Sequence, residues 1–255
     1  MVLEPATSSS KPSENNAGWM TLRVAIFSQI AAFVFAGFFA YAFLVERSTK
    51  ELKPGAWPQV IGLLPLWAVL LLGVRLVAKR RGVSAFGNAP RLRRSDLPWF
   101  VVGVVGQFAV GLLYLPFNVD TKELEKPAKD LIDSTGGRNF SFYVLAVAVA
   151  FGAPIVEELF YRGLVWRGTD LVIQRQSNNT VSRRRLRRLV PCAIPIAVSA
   201  VWFGAVHLEP LQFPALALVG GICAFAAARE GRLAPAILVH MGFNVVTVIA
   251  LGAKL

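Results

Sequence analysis

Residues 152–168 read GAPIVEELFYRGLVWRG, an apolar run that holds two adjacent carboxylates, Glu157 and Glu158, and the guanidinium of Arg162. A charged side chain at the centre of a membrane helix costs about 2.5–3.5 kcal/mol on an insertion scale, while each Leu, Phe or Val returns about 0.3–0.6. Three charges within six residues cancel most of what this run gains by inserting, so neighbouring segments must supply partners. An ionisable cluster at membrane depth is a functional hypothesis by default. Glu158 and Arg162 stand four apart with the acid first, the favourable order for an ion pair on one helix face. Glu157 points about 100° away around the helix and is free for other work. Gly152 and Pro154 can break or restart the helix just upstream, which places the glutamates in a first turn, where negative charge is stabilised. The structural alternative is a charge network that only holds helices together.

The chain has just two histidines, His207 in WFGAVHLEP and His240 in ILVHMGFNVV. A single buried histidine is more often a packed core residue than a catalyst. His240, however, has Asn244 four residues on, so one helix face presents an imidazole and an amide side by side. A carboxylate, two imidazoles and an amide on separate segments are the parts of a hydrolytic site. The carboxylate can take a proton from water, an imidazole can orient that water or help hold a metal, and the remaining donors can stabilise an oxyanion.

The elements that must position these groups are membrane helices. Of 255 residues 55% are hydrophobic and 16% charged, where a soluble domain carries about 25% charged residues. Apolar runs near the roughly 20 residues that cross a bilayer fall at 22–45, 57–78, 97–117, 140–165, 189–208, 213–228 and 233–252. The fold class expected is all-α, a polytopic transmembrane bundle of about seven spans, or eight. The connections EPLQ and REGR are short enough for a re-entrant piece to pass for a span among the last three. Barrel strands are shorter and alternate in hydropathy, which excludes that class. Residues 1–18 read as a disordered polar tail, 19–139 as the N-terminal helices and 140–255 as a catalytic helical core in the same bundle.

The net charge of +12 is concentrated in two loops. Loop 79–94 holds six Lys/Arg and no acid, and 166–188 holds seven, whereas 118–139 has four basic and five acidic residues. This distribution puts the first two loops and the N-terminus in the cytoplasm and, with seven spans, the C-terminus outside. Topology and attraction to anionic lipid account for the charge without nucleic acid. Cys192 and Cys223 lie in apolar runs without ligand spacing, and no disulfide is assigned.

Three motifs stand in order on successive spans: EELFYR fits EExxxR, FGAVH fits FxxxH through Phe203 and His207, and HMGFN fits HxxxN. In these, residues 140–252 resemble the CAAX protease and bacteriocin-processing (CPBP) family of intramembrane endopeptidases, which includes the type II CAAX prenyl endopeptidase and the Abi proteins. The resemblance implies that Glu157 is the general base and Glu158 a second essential carboxylate paired with Arg162. It implies that His207 shares the water or a metal with Glu157, while His240 and Asn244 contact the scissile carbonyl. Zinc on Glu157, His207 and His240 stays an open cofactor assignment. The implied partner is a membrane-associated peptide or protein in the bilayer. A bacterial cytoplasmic membrane fits the absence of eukaryotic targeting motifs, and pheromones, bacteriocin precursors or membrane-protein tails are then better substrates than prenylated proteins.

On straight helices of 1.5 Å rise the site residues do not share a depth. Glu157 falls about 15 Å from Arg167 and His240 about 12 Å from Arg232, but His207 about 28 Å from Arg188. Either Pro191 and Pro195 mark an opening segment that is not a transmembrane helix, or the loop boundaries lie elsewhere. Two other classes share these features: a transporter, which more naturally shows broken helices in paired halves, and a non-catalytic partner or immunity protein on the same scaffold.

Overall fold

The computed structural model describes residues 14–49, 57–81, 91–117, 119–177 and 190–254. Among them ten α-helices follow one another: α1 (Glu14–Thr49), α2 (Trp57–Arg81), α3 (Leu97–Tyr114), α4 (Thr121–Asp133), α5 (Phe140–Val147), α6 (Ala153–Phe160), α7 (Arg167–Ser177), α8 (Val190–Ala205), α9 (Phe213–Glu230) and α10 (Ala234–Gly252). Among the described residues there is no strand. Helices α5, α6 and α7 form one rod, joined by π-helical turns at Ala148–Gly152 and Tyr161–Trp166.

Among the described residues six stretches are long and apolar enough to cross a membrane: Ala17–Phe39, Ile61–Arg80, Arg94–Phe117, Phe140–Ile173, Phe213–Glu230 and Ala234–Gly252. Their outer faces carry many exposed Phe, Leu, Ile and Val side chains, which only a lipid phase solvates at low cost. The chain is therefore an integral, multi-pass membrane protein. Among the described residues six such stretches stand against the about seven expected. In the expected run at 189–208 the described helix is α8, whose 16 residues rise about 24 Å, less than a hydrocarbon core of about 30 Å. Pro195 sits inside this helix and does not end it.

Two further expectations change. Residues 14–18, read as tail, begin α1, and Gly18 packs so closely on α7 that a Cβ there would meet Val172 Cγ2 at 2.9 Å. Residues 1–13, the rest of the tail, lie outside the described residues, as do most of the basic loop 79–94, residues 178–189 of the second and the side chain of Cys192. Cys223 is a free, buried thiol.

Gly152 and Pro154 do not break the rod. Gly152 keeps helical dihedrals (φ −66°, ψ −54°), and the helix passes Pro154 by widening into a π turn. Such turns accommodate a missing N–H without ending a helix and recur at functional sites. Gly152 serves packing instead: a Cβ there would stand 2.7 Å from the Trp67 ring of α2.

Helix α10 is held against α3 by two means. Gly103 and Gly242 face each other's helix so closely that a Cβ would lie 1.9 Å from Val239 O or 2.2 Å from Phe100 O. Small residues at a crossing let membrane helices approach to backbone contact. At one end of this pair Arg232, just after the left-handed Gly231 (φ 65°) that caps α9, folds onto Asp96 at the start of α3. Its two terminal nitrogens donate to Asp96 Oδ1 and Oδ2 at 2.5 and 2.8 Å, and one also donates to Arg91 O at 3.2 Å. Both side chains are buried.

Candidate active site

The rod α5–α7 crosses the bundle with Glu157 and Glu158 on α6 and Arg162 in the second π turn. Glu158 and Arg162 are wholly buried. Arg162 donates to Glu158 Oε1 at 2.9 Å and to Gly220 O of α9 at 2.6 Å. Its guanidinium also lies over the Phe203 ring of α8, 4.9 Å from the centroid, a cation–π contact that gains strength where water is excluded. Gly220 has no side chain to obstruct this: a Cβ there would press on Phe203 and Ala200 at 3.1–3.2 Å.

The buried pair attracts a third group. His240 of α10 places Nδ1 2.9 Å from Glu158 Oε1. A carboxylate can only accept, so Nδ1 donates. In the neutral ring the lone pair is then on Nε2, 3.9 Å from Glu157 Oε2. That is too long for a hydrogen bond and is a gap that one water can bridge with two bonds of about 2.8 Å. Glu157 is the open member of the cluster, with 18% of its side chain exposed against none of Glu158. Two neighbouring glutamates thus stand in different environments, one closed inside an ion-pair network and one facing outward beside a bare imidazole nitrogen.

His207 is elsewhere. It follows the C-terminal end of α8 in a turn and is exposed. Its Nδ1 donates to Phe203 O at 2.7 Å. Leu208, next in the turn, has a left-handed backbone (φ 56°), a strained position for a residue with a Cβ. The Phe203 ring contacts both imidazoles, with centroids 4.8 Å from His207 and 5.4 Å from His240. Helix α8 ends at Ala205, before His207, and the imidazole bonds back to its last turn.

Asn244, one turn after His240, donates from Nδ2 to Val149 O at 2.9 Å, in the first π turn of the rod. The second π turn is met by Ser199 of α8, whose hydroxyl donates to Tyr161 O at 3.4 Å. Tyr161 in turn donates to Gln29 of α1 at 3.1 Å.

For a metal, Glu157 and His240 are the two donors that converge. Among the described residues no three His, Cys, Asp or Glu stand close enough to hold an ion. Catalytic zinc takes three protein ligands, and His207 does not complete such a set in this conformation. An apolar cavity of about 590 Å³ between α1 and α8, lined by Phe33, Val198, Val201, Trp202 and Val206 among others, includes neither glutamate.

Several positioning residues carried no signal that sequence reading used. Asp96 and Arg232 are each other's partners across 136 positions, and nothing local marks them. Gly103, Gly220 and Gly242 are ordinary glycines in apolar runs until the helices that cross them are known.

Neither a curated protein nor a solved structure matches the chain. Residues 139–246 match the family model described as type II CAAX prenyl endopeptidase Rce1-like. That match spans Glu157, Glu158, Arg162, Phe203, His207, His240 and Asn244, so over this segment the chain is similar to the CAAX protease family.

Proposed function

We propose that the protein is an intramembrane endopeptidase that hydrolyses a peptide bond of a membrane-associated peptide or protein with water activated at Glu157. The observation that carries this reading is the 3.9 Å gap between Glu157 Oε2 and His240 Nε2. Both atoms accept hydrogen bonds, so a water between them directs its protons outward to the two bases and its oxygen lone pair toward a substrate. Glu157 takes one proton as the oxygen adds to the scissile carbonyl. It then returns that proton to the departing amine.

Glu158 has a different part. It fixes the His240 tautomer and ring orientation through Nδ1, as a buried carboxylate does beside a catalytic imidazole. Arg162 and His240 both bond Glu158 Oε1, and the side chain is closed to solvent, so it is Glu157 and not Glu158 that can meet the water. With Nδ1 bonded to Glu158, His240 donates from Nε2 only after it has gained a proton there, so its support of an oxyanion follows proton transfer. Among the described residues Glu157 and His240 are two donors where a catalytic zinc takes three, so no step is assigned to a metal. The basic loops set the orientation proposed for the membrane, with 79–94 and 166–188 on the cytoplasmic side.

The test is cleavage of membrane-anchored peptides by purified protein in lipid vesicles, wild type against Glu157→Gln. Cleavage by the first and not the second supports the reading. Equal activity removes Glu157 as base, and absence of cleavage by the wild type across a broad peptide library favours the non-catalytic alternative.

A further inference from the structure

At the junction of α5 and α6 the carbonyl of Val149 loses its donor within the helix. In the π turn hydrogen bonds run from residue i to i−5, as in the bond from Ala153 N–H to Ala148 O. The next donor in this register is residue 154, a proline, which has no N–H. Val149 O therefore lacks its π-register partner, and its α-register partner, Ala153 N–H, is already directed at Ala148 O. A carbonyl left unpaired at membrane depth is costly. The amide of Asn244 on α10 fills the vacancy at 2.9 Å.

This bond joins the two halves of the cluster. Val149 lies about two turns before Glu157 on the rod, and Asn244 lies one turn after His240 on α10. We infer that Asn244 is a positioning residue: its amide replaces the N–H that Pro154 lacks, and so fixes the rod that carries Glu157 against the helix that carries His240. Asn244 and Pro154 form a functional pair 90 positions apart, in which each explains the other. The inference rests on the hydrolytic reading for its effect on turnover, but the hydrogen bond itself does not. It also differs from the role of contact with the scissile carbonyl that the family resemblance implies for Asn244.

The pair is testable because Pro154→Ala gives the helix back an N–H that can serve Val149 O. In the wild-type background Asn244→Ala is expected to lower kcat by about 10²-fold with little change in KM, the scale on which a misplaced catalytic group acts. In the Pro154→Ala background the same substitution should cost less than about 10-fold, since the carbonyl has another donor. A direct contact to the substrate predicts the same loss in both backgrounds, and that result overturns the proposal.

Thermal unfolding of the four proteins in one detergent forms a second cycle that needs no activity. Asn244→Ala should lower Tm when residue 154 is proline and have little effect when it is alanine. Equal losses of Tm in both backgrounds overturn the proposal even if Pro154→Ala is itself inactive. Should the wild type cleave nothing, the hydrolytic reading fails while the unfolding cycle still decides whether Asn244 serves the carbonyl that Pro154 leaves open.

Discussion

Glu158 and His240 are joined by a 2.9 Å hydrogen bond from Nδ1 to Oε1, with almost no solvent reaching either side chain. Arg162 donates to the same oxygen at 2.9 Å, so the carboxylate is held between two donors and the imidazole is held with Nε2 outward. The work of the two adjacent glutamates is thereby divided. Glu158 organises the interior, and Glu157 faces the place where water and substrate can meet.

Replacing Glu157 by glutamine removes the proton acceptor and keeps the shape. Turnover should fall by about 10²–10⁴-fold, the range that a general base contributes. The melting temperature should stay near that of the wild type, because Glu157 takes no part in the buried ion pair. Single-turnover cleavage and thermal unfolding on the same preparation check both statements.

Glu158→Gln should behave otherwise. Arg162 would keep Gly220 O as a partner but lose its only carboxylate, and leaving one charge of a buried pair uncompensated costs about 3–5 kcal/mol. His240 would also lose the anion that fixes its tautomer, so activity per folded molecule should fall together with stability. Wild-type melting with normal turnover would show that the pair has no such importance.

Gly242→Ala tests whether the close approach of α3 and α10 sets the site. The added Cβ would lie 2.2 Å from Phe100 O, a backbone atom that cannot rotate away. The helices must separate, with a loss of about 1–3 kcal/mol typical of overpacking, and His240 two residues away must move with α10. The expected result is a lower Tm and a drop in kcat, whereas Gly62→Ala, which meets no atom within 4 Å, should change neither in the same assays.

Metal removal addresses the open assignment of zinc. Two converging donors, Glu157 and His240, fall short of the three that a catalytic zinc takes, so chelator-treated protein should retain its turnover and metal analysis should find no stoichiometric zinc. Activity lost to the chelator and restored by zinc would mean that the turn after α8 moves to bring His207 in as the third ligand.

Much of this architecture follows from local chemistry and was legible in the order of residues. A four-residue spacing on one helix is enough to bring Glu158 to Arg162 and to place Asn244 one turn from His240, because helical geometry fixes such neighbours whatever surrounds them. The apolar runs likewise announce membrane helices, since length and hydropathy alone decide whether a segment can cross. What the order of residues could not decide is which helices meet, and at what height. Local spacing left open that Glu158 serves His240 as well as Arg162, that Gly103 and Gly242 bring α3 and α10 into backbone contact, or that Asp96 closes on Arg232. The short α8, with His207 beyond its end, and the π turn at Pro154 are decided at the same level: a helix stops or widens where a neighbour can satisfy the backbone groups it releases. Asn244 can do so for Val149 O only because tertiary packing sets α10 beside the rod.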